Sequence, residues 1–293
     1  MTATTLVEPL ASVGAASRPS HATIVRRQTL GTAIRSEWVK LRTLRSTWIG
    51  LGSTLLILVG FGAIAAAVST GSVATPDGGG GGGGGGPFGG SDPVSTVLMG
   101  ANFAVLLIGI LGALAGAREY GSRMITATVA AVPRRWQVVI AKATVFTGVA
   151  LAASVIGILG AFTVGMSVLS GADAATVALT DDGVLRQVLG MAGYITAVGL
   201  IGMGLGILLR SVAGSIGAVV AAFMVLPPLA AALLPDSWDP ILQYLPSSAA
   251  SAFTTVLPAG TEVLGAGAGA VVLAAWVLAA LGAAVVSITH QDV

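Results

Sequence analysis

The stretch REYGSRMITATVAAVPRRWQVVIAK, residues 118–142, is the longest polar interruption between apolar segments that also carries basic charge. Apolar runs of membrane-spanning length, about 20 residues, lie on both sides of it. Its basic residues are Arg118, Arg123, Arg134, Arg135 and Lys142, opposed only by Glu119. The pattern predicts a cytoplasmic connector between two transmembrane helices, with a short helix of its own. Residues 118–142 are called the connector below.

Composition places the chain among membrane proteins. Of its 293 residues, 55% are hydrophobic and only 9% are charged, and the mean hydropathy is +0.93. A soluble domain carries about 25% charged residues, so this chain is expected to be solvated mainly by lipid. It has no cysteine, which excludes disulfides and cysteine-ligated zinc or iron–sulfur sites.

The apolar runs predict an all-α polytopic membrane protein with six transmembrane helices. The predicted spans are residues 47–68, 94–117, 143–169, 186–209, 212–234 and 263–287, within one domain of residues 30–293. Residues 1–29 are rich in Ala, Ser and Thr and are predicted to be a disordered cytoplasmic tail. The polyglycine run at residues 78–86 is expected to be a flexible outer loop. Pro227 and Pro228 are expected to bend the fifth span near its outer end.

The segment before the first span is basic and has helical periodicity. Ile34, Trp38 and Leu41 recur at steps of three and four, whereas Lys40 and Arg42 lie largely off that face. This pattern favours an amphipathic helix lying on the inner leaflet, with Trp38 at headgroup depth. The alternative is that the segment is only the polar start of the first span.

Charge placement predicts the orientation of the spans. With the N-terminus inside, every basic residue except Arg186 falls in a cytoplasmic segment, and most of the acids fall in outer segments. This asymmetry is the positive-inside pattern. Both termini are therefore predicted to be cytoplasmic, and the chain is predicted to be a multi-pass protein of the cytoplasmic membrane.

Several chemistries are missing from the sequence. A phosphate-binding loop of the form G-x-x-x-x-G-K-[ST] is absent, because Lys40 is followed by Leu41 and Lys142 by Ala143. The predicted spans hold no histidine or lysine to activate a serine, and no ionisable group deep enough for an ion-coupled carrier. We therefore expect a non-enzymatic membrane subunit without a cofactor of its own, driven from its cytoplasmic face.

Residues 235–262 are too apolar for an ordinary loop and too rich in proline for a span. A short helical hairpin at the outer interface, including Tyr244, Leu245 and Pro246, fits this composition. Trp276 in the sixth span is expected to be a packing residue rather than a substrate contact.

Three small-residue spacings match the pattern that seats helices closely, mostly within one chain, but a chain with 42 glycines also produces such matches by chance. The three spacings are Gly112 and Gly116, Gly202 and Gly206, and Gly265 and Gly269.

Three stretches, taken in order, resemble the permease subunits of type-2 ABC (ATP-binding cassette) exporters. SEWVKLRTLRSTW at residues 36–48 looks like the interfacial helix before that family's first span. The connector looks like its coupling segment, and YLPSSAASAF at residues 244–253 looks like its outer hairpin. The turn at Leu209, Arg210 and Ser211 also fits. The family usually has Thr after the glycine of the coupling segment, where this chain has Ser122.

The resemblance implies partners and site residues. It implies a separate ATP-binding subunit, which would carry ATP and magnesium, and a second identical or homologous permease in a dimer, with no role for nucleic acid. Residues 121–132, beginning at Gly121, would be the coupling helix, after an acidic Glu119 and before a basic turn. The basic turn is Arg134 and Arg135, which topology alone could also place inside. Met124, Ile125 and Val129 form one apolar stripe, facing either the ATPase or the membrane.

The expected function is ATP-driven export of a hydrophobic or amphipathic cargo by alternating access. The rival interpretation is a non-transporting membrane protein, an assembly factor or a sensor that recruits a cytoplasmic regulator.

Overall fold

The computed structural model describes residues 29–73, 92–121, 136–255 and 264–290, and in these ranges the chain is helical with no strand. The helices are α1 (Leu30–Thr43), α2 (Arg45–Ser69), α3 (Pro93–Val97), α4 (Ala101–Gly121), α5 (Trp136–Gly171), α6 (Val184–Leu209), α7 (Val212–Val220), α8 (Leu226–Leu233), α9 (Asp239–Leu242), α10 (Pro246–Thr254) and α11 (Ala266–His290).

Six of the described helical segments are long and apolar enough to cross a membrane. They are Arg45–Ser69, Ala101–Arg118, Trp136–Gly171, Val184–Leu209, Val212–Leu233 and Ala266–His290. The prediction of an all-α polytopic fold is confirmed, and the chain is a multi-pass membrane protein.

The basic segment before the first span forms a helix of its own. The backbone N–H of Thr29 donates to the Thr32 hydroxyl at 3.0 Å and closes the start of α1. Leu44, with extended backbone, separates α1 from α2. The alternative of a continuous polar start to the first span is therefore wrong.

The second span is shorter than predicted. Residues 94–117 were expected to form one helix, but α3 ends at Val97 and α4 begins at Ala101. Gly100 lies in the turn between them, where a Cβ would come within 2.6 Å of the Ile57 carbonyl oxygen in α2. The turn thus packs against the backbone of α2, which only glycine allows.

The third span begins earlier than predicted. Helix α5 starts at Trp136 rather than near residue 143 and has 36 residues. At 1.5 Å per residue it is about 54 Å long, well over the roughly 30 Å of a hydrocarbon core. Lys142 therefore lies in the second turn of a helix, whereas the sequence placed it in the connector before the helix.

The fifth span contains a π-helical segment just before its prolines, and the expected bend there stays a prediction. Between α7 and α8 the chain forms a π-helical segment, Ala221–Val225. Pro227 and Pro228 follow it in the first turn of α8, and they lack the N–H groups that would donate to the helical segment before them. The sixth span, α11, runs from Ala266 to His290, three residues later than predicted.

Helices α4 and α6 pack backbone to backbone in the core. A Cβ on Gly112 would collide with the Gly199 carbonyl, and one on Gly116 with the Met203 carbonyl. On α6, a Cβ on Gly206 would lie 2.5 Å from the Ala113 carbonyl oxygen of α4. Two of the three small-residue spacings therefore seat the same pair of helices within the chain.

The third small-residue spacing behaves differently. Gly269 on α11 touches the Ala249 carbonyl of α10, whereas Gly265 has open space at its Cα. Only Gly269 of this pair packs closely against a neighbouring helix, so the two glycines do not form a shared packing face.

Candidate functional site

The predicted docking residues fall largely outside the described part of the chain. The residues outside it are Met124, Ile125, Val129 and the basic turn Arg134–Arg135. Glu119 and Gly121 belong to the last turn of α4. The described site therefore consists of the two ends of the connector, residues 118–121 in α4 and 136–142 in α5, and the groups that hold them.

The α5 end of the connector is held by a buried carboxylate on α1. Glu37 is only 4% exposed, and its Oε2 accepts a hydrogen bond from Lys142 Nζ at 2.8 Å. Its other oxygen, Oε1, accepts from Lys40 Nζ at 2.6 Å. Both lysines of the chain thus bind one carboxylate, and a buried charge so compensated is tolerable.

The ion cluster and the burial pattern of α1 bear on two predictions. Lys142 is buried, so the apolar spans do contain an ionisable group near one end. The face of α1 that the protein buries carries Ala33 and Glu37, while Trp38 is 48% exposed and points away. The predicted apolar stripe through Trp38 lies off the face that packs on the bundle, and its place at the inner leaflet stays a prediction.

The remaining predicted residues of α1 take different places. Lys40 and Leu41 line a cavity beside the ion cluster. Arg42 is exposed, and its carbonyl oxygen accepts a hydrogen bond from Trp48 Nε1 at 3.0 Å. That bond ties the end of α1 to the first turn of α2.

The α4 end of the connector is held at two points. Arg118 Nη1 donates to Ser46 Oγ at 2.9 Å, which joins α4 to the start of α2. The second point is Tyr120, two residues after Arg118. The centre of its ring lies 5.2 Å from the guanidinium of Arg210. At this distance the cation and the ring attract each other.

Arg210 occupies the short turn predicted between the fourth and fifth spans. Its φ is +51°, a left-handed conformation that ends α6. Ser211 then caps α7, because its side chain accepts from the Gly214 N–H at 3.2 Å. The connector ends are therefore in contact with α1, α2 and the α6–α7 turn together.

A cavity of about 400 Å³ lies next to these contacts, between α1, α2, α4 and α5. Most of its wall is apolar, including Leu51, Ile108, Leu111 and Phe146. The charged residues on the wall are Glu37, Lys40, Arg118 and Lys142. It is therefore an apolar space with a charged end, at the same place as the connector anchors.

The predicted outer hairpin is a pair of short helices, α9 and α10. Leu245 precedes α10 and Pro246 occupies its first turn. Trp276 Nε1 of α11 donates to the Tyr244 carbonyl oxygen at 2.8 Å. Phe253 of α10 packs on Gly190 of α6. The hairpin is thus fastened to the fourth and sixth spans.

Sequence reasoning missed Glu37 and the partnership of Tyr120 with Arg210. For Glu37 a signal was present, because it is the lone acid of a basic segment and stands three residues before Lys40. Nothing in the sequence pointed to the pairing of Tyr120 and Arg210, since their helices meet only in the fold. Within the described ranges, no group of three or more His, Asp or Glu residues could hold a metal ion.

Comparison of the chain with protein-family models, with curated proteins and with solved structures gave no match.

Proposed function

We propose that the chain is the transmembrane subunit of an ATP-driven exporter in the cytoplasmic membrane. A separate ATP-binding subunit supplies ATP hydrolysis, and a second permease completes a dimer. The cargo is hydrophobic or amphipathic and crosses by alternating access. The sequence resemblance to type-2 ABC permeases motivates this assignment, and the anchoring of the connector supports it.

The observation that carries the proposal is that both ends of the connector are fastened to different helices. Lys142 is bound to Glu37 of α1, and Arg118 is bound to Ser46 of α2. A force applied to residues 122–135 therefore reaches α1, α2, α4 and α5 at once. Those four helices enclose the cavity, so movement of the connector changes the shape of a binding space.

The absence of a phosphate-binding loop is consistent with a motor on another chain. Energy then has to enter through a surface that a soluble partner can reach. The connector is that surface, since it is basic and predicted to be cytoplasmic. Ile125 is the centre of its predicted apolar stripe and is our choice for the docking contact.

Co-purification tests the proposal. The chain is tagged and purified in mild detergent together with the Walker-type ATPase encoded by an adjacent reading frame, if its gene has one. We expect the ATPase to co-elute, and Ile125→Asp to release it. Ala127→Asp is the matched control, since helical spacing puts residue 127 on the opposite face.

Two results contradict the proposal. One is an ATPase that stays bound to the Ile125→Asp variant. The other is a preparation without an ATPase, encoded beside a sensor kinase or a protease, which supports a non-transporting recruiter instead.

A further inference from the structure

We infer that the cavity between α1, α2, α4 and α5 binds one anionic phospholipid drawn from the leaflet at the basic ends of these helices. Neither the family resemblance nor the proposed function assigns this site. The inference deepens the proposed function by naming a ligand class, but binding itself requires no ATPase.

The size and depth of the cavity suit an acyl chain. Ligand sites in proteins commonly measure about 300–1,000 Å³, and this cavity has about 400 Å³. Along α4 its wall extends from Arg118 to Ile108. Ten residues of helix span about 15 Å, or half of a hydrocarbon core of roughly 30 Å. The cavity is therefore about one leaflet deep.

The distribution of polarity along the cavity matches an amphiphile. Leu51, Ile108 and Phe146 line its apolar part, and the charged residues lie together where Glu37 binds Lys40 and Lys142 and where α4 approaches its end at Arg118. An acyl chain fits the first region and a headgroup fits the second. A small polar solute would leave the apolar wall unfilled.

The charged residues of the cavity wall favour an anionic headgroup. Lys40, Arg118 and Lys142 are basic, and Glu37 is the one acid among the described residues of the wall. The formal charge of this group is +2, since three positive charges oppose one negative charge. A phosphate ester carries the complementary charge and accepts the bidentate hydrogen bonds that guanidinium groups donate. Arg118, which supplies a guanidinium to the described wall, is the residue best suited to bind it.

Native mass spectrometry of the full chain tests the inference. The protein is purified in detergent containing equal amounts of phosphatidylglycerol and phosphatidylcholine with identical acyl chains. We expect one phosphatidylglycerol per chain to be retained in preference to phosphatidylcholine. Arg118→Gln is expected to reduce this retention about tenfold, as the loss of one charge-assisted hydrogen bond would.

Two further variants separate the site from general charge attraction. Arg35→Gln is the matched control, because Arg35 is an exposed basic residue of α1 outside the cavity wall, and it should retain lipid as the wild type does. Ala115→Phe places a bulky side chain in the cavity without changing a charge and should reduce retention at least as much as Arg118→Gln does. Both variants must elute as monodisperse protein.

The inference is overturned if the two lipids are retained equally, or if Arg118→Gln and Arg35→Gln behave alike. It is also overturned if inorganic phosphate at millimolar concentration displaces the lipid completely, because the site would then take a free anion. A failure of ATPase co-purification leaves these results untouched, so the two proposals fail independently.

Discussion

Lys142 Nζ lies 2.8 Å from Glu37 Oε2, across 105 positions of sequence. The bond joins the second turn of α5, where the connector ends, to the middle of α1. Lys40 holds the other oxygen of the same carboxylate. A displacement of the connector end must therefore either move α1 or break a buried ion cluster, and breaking one is energetically unfavourable.

Replacing the carboxylate should destabilise the fold. Glu37→Gln leaves two ammonium groups without their shared counter-charge, one of them buried, and we expect a loss of about 3 kcal/mol of unfolding free energy. Denaturant titration of the detergent-purified protein measures it. In the double variant Glu37→Gln with Lys142→Gln, the loss should be smaller than the sum of the single losses.

Arg35→Gln serves as the control for this series, because an exposed residue on the same helix should change stability by no more than about 0.5 kcal/mol. Strict additivity of the Glu37 and Lys142 effects would show that the bond between them does not link α1 to α5.

The close contact of α4 and α6 depends on glycine at particular positions. A Cβ on Gly202 would meet the Gly109 carbonyl, whereas Gly193 on the same helix has open space. Gly202→Ala should therefore force the helices apart and destabilise the protein by about 1–3 kcal/mol. Gly193→Ala should be neutral or slightly stabilising, since alanine favours helix. Thermal unfolding compares the stabilities of the two variants. Equal unfolding temperatures would contradict the close packing of α4 on α6.

A hydrogen bond from α11 is one of the contacts that hold the predicted outer hairpin. Trp276→Phe keeps an aromatic ring, although a smaller one, and removes the donor to the Tyr244 carbonyl, a loss of about 1 kcal/mol. We expect faster amide hydrogen exchange in residues 239–246 with little change elsewhere. Trp136→Phe, at the far end of the bundle, is the control. Unaltered exchange in the hairpin would mean that other contacts suffice to hold it.

The number and type of long helices could be predicted, because length and apolar composition decide them. The interruptions and the first residues of these helices were harder to predict from the sequence. The turn at Gly100 interrupts an apolar run and is stabilised by contact with α2, so only the tertiary structure determines it. The early start of α5 was missed because Trp136 to Lys142 contains polar and charged residues, one of which is compensated by distant Glu37.

The candidate site was predicted in part. The connector was found from its charge, and the Leu209–Ser211 turn from its brevity. The burial of Glu37 was not foreseen, because helical periodicity ranks residues by hydrophobicity and places an acid on the exposed face. Its burial depends on two lysines, and the one on α5 is brought near only by folding.

The orientation of the bundle can be measured by cysteine labelling, since the native chain has no cysteine. Helix α5 lies between position 122 in the connector and position 172 in the loop before α6. One crossing separates them, so they should lie on opposite sides. In intact cells an impermeant maleimide should label Ala172→Cys directly, and Ser122→Cys only after permeabilisation. The reverse pattern would place the connector outside and exclude a cytoplasmic motor.

Under the proposed function, ATP bound by another chain changes the shape of this one. Leu44 lines the cavity and is 41% exposed, so the rate of maleimide labelling of Leu44→Cys reports on the cavity. In the reconstituted complex with its ATPase we expect ATP to change that rate, and Ile125→Asp to abolish the change. A labelling rate that ATP leaves unaltered, while the bound ATPase hydrolyses it, would contradict the claim.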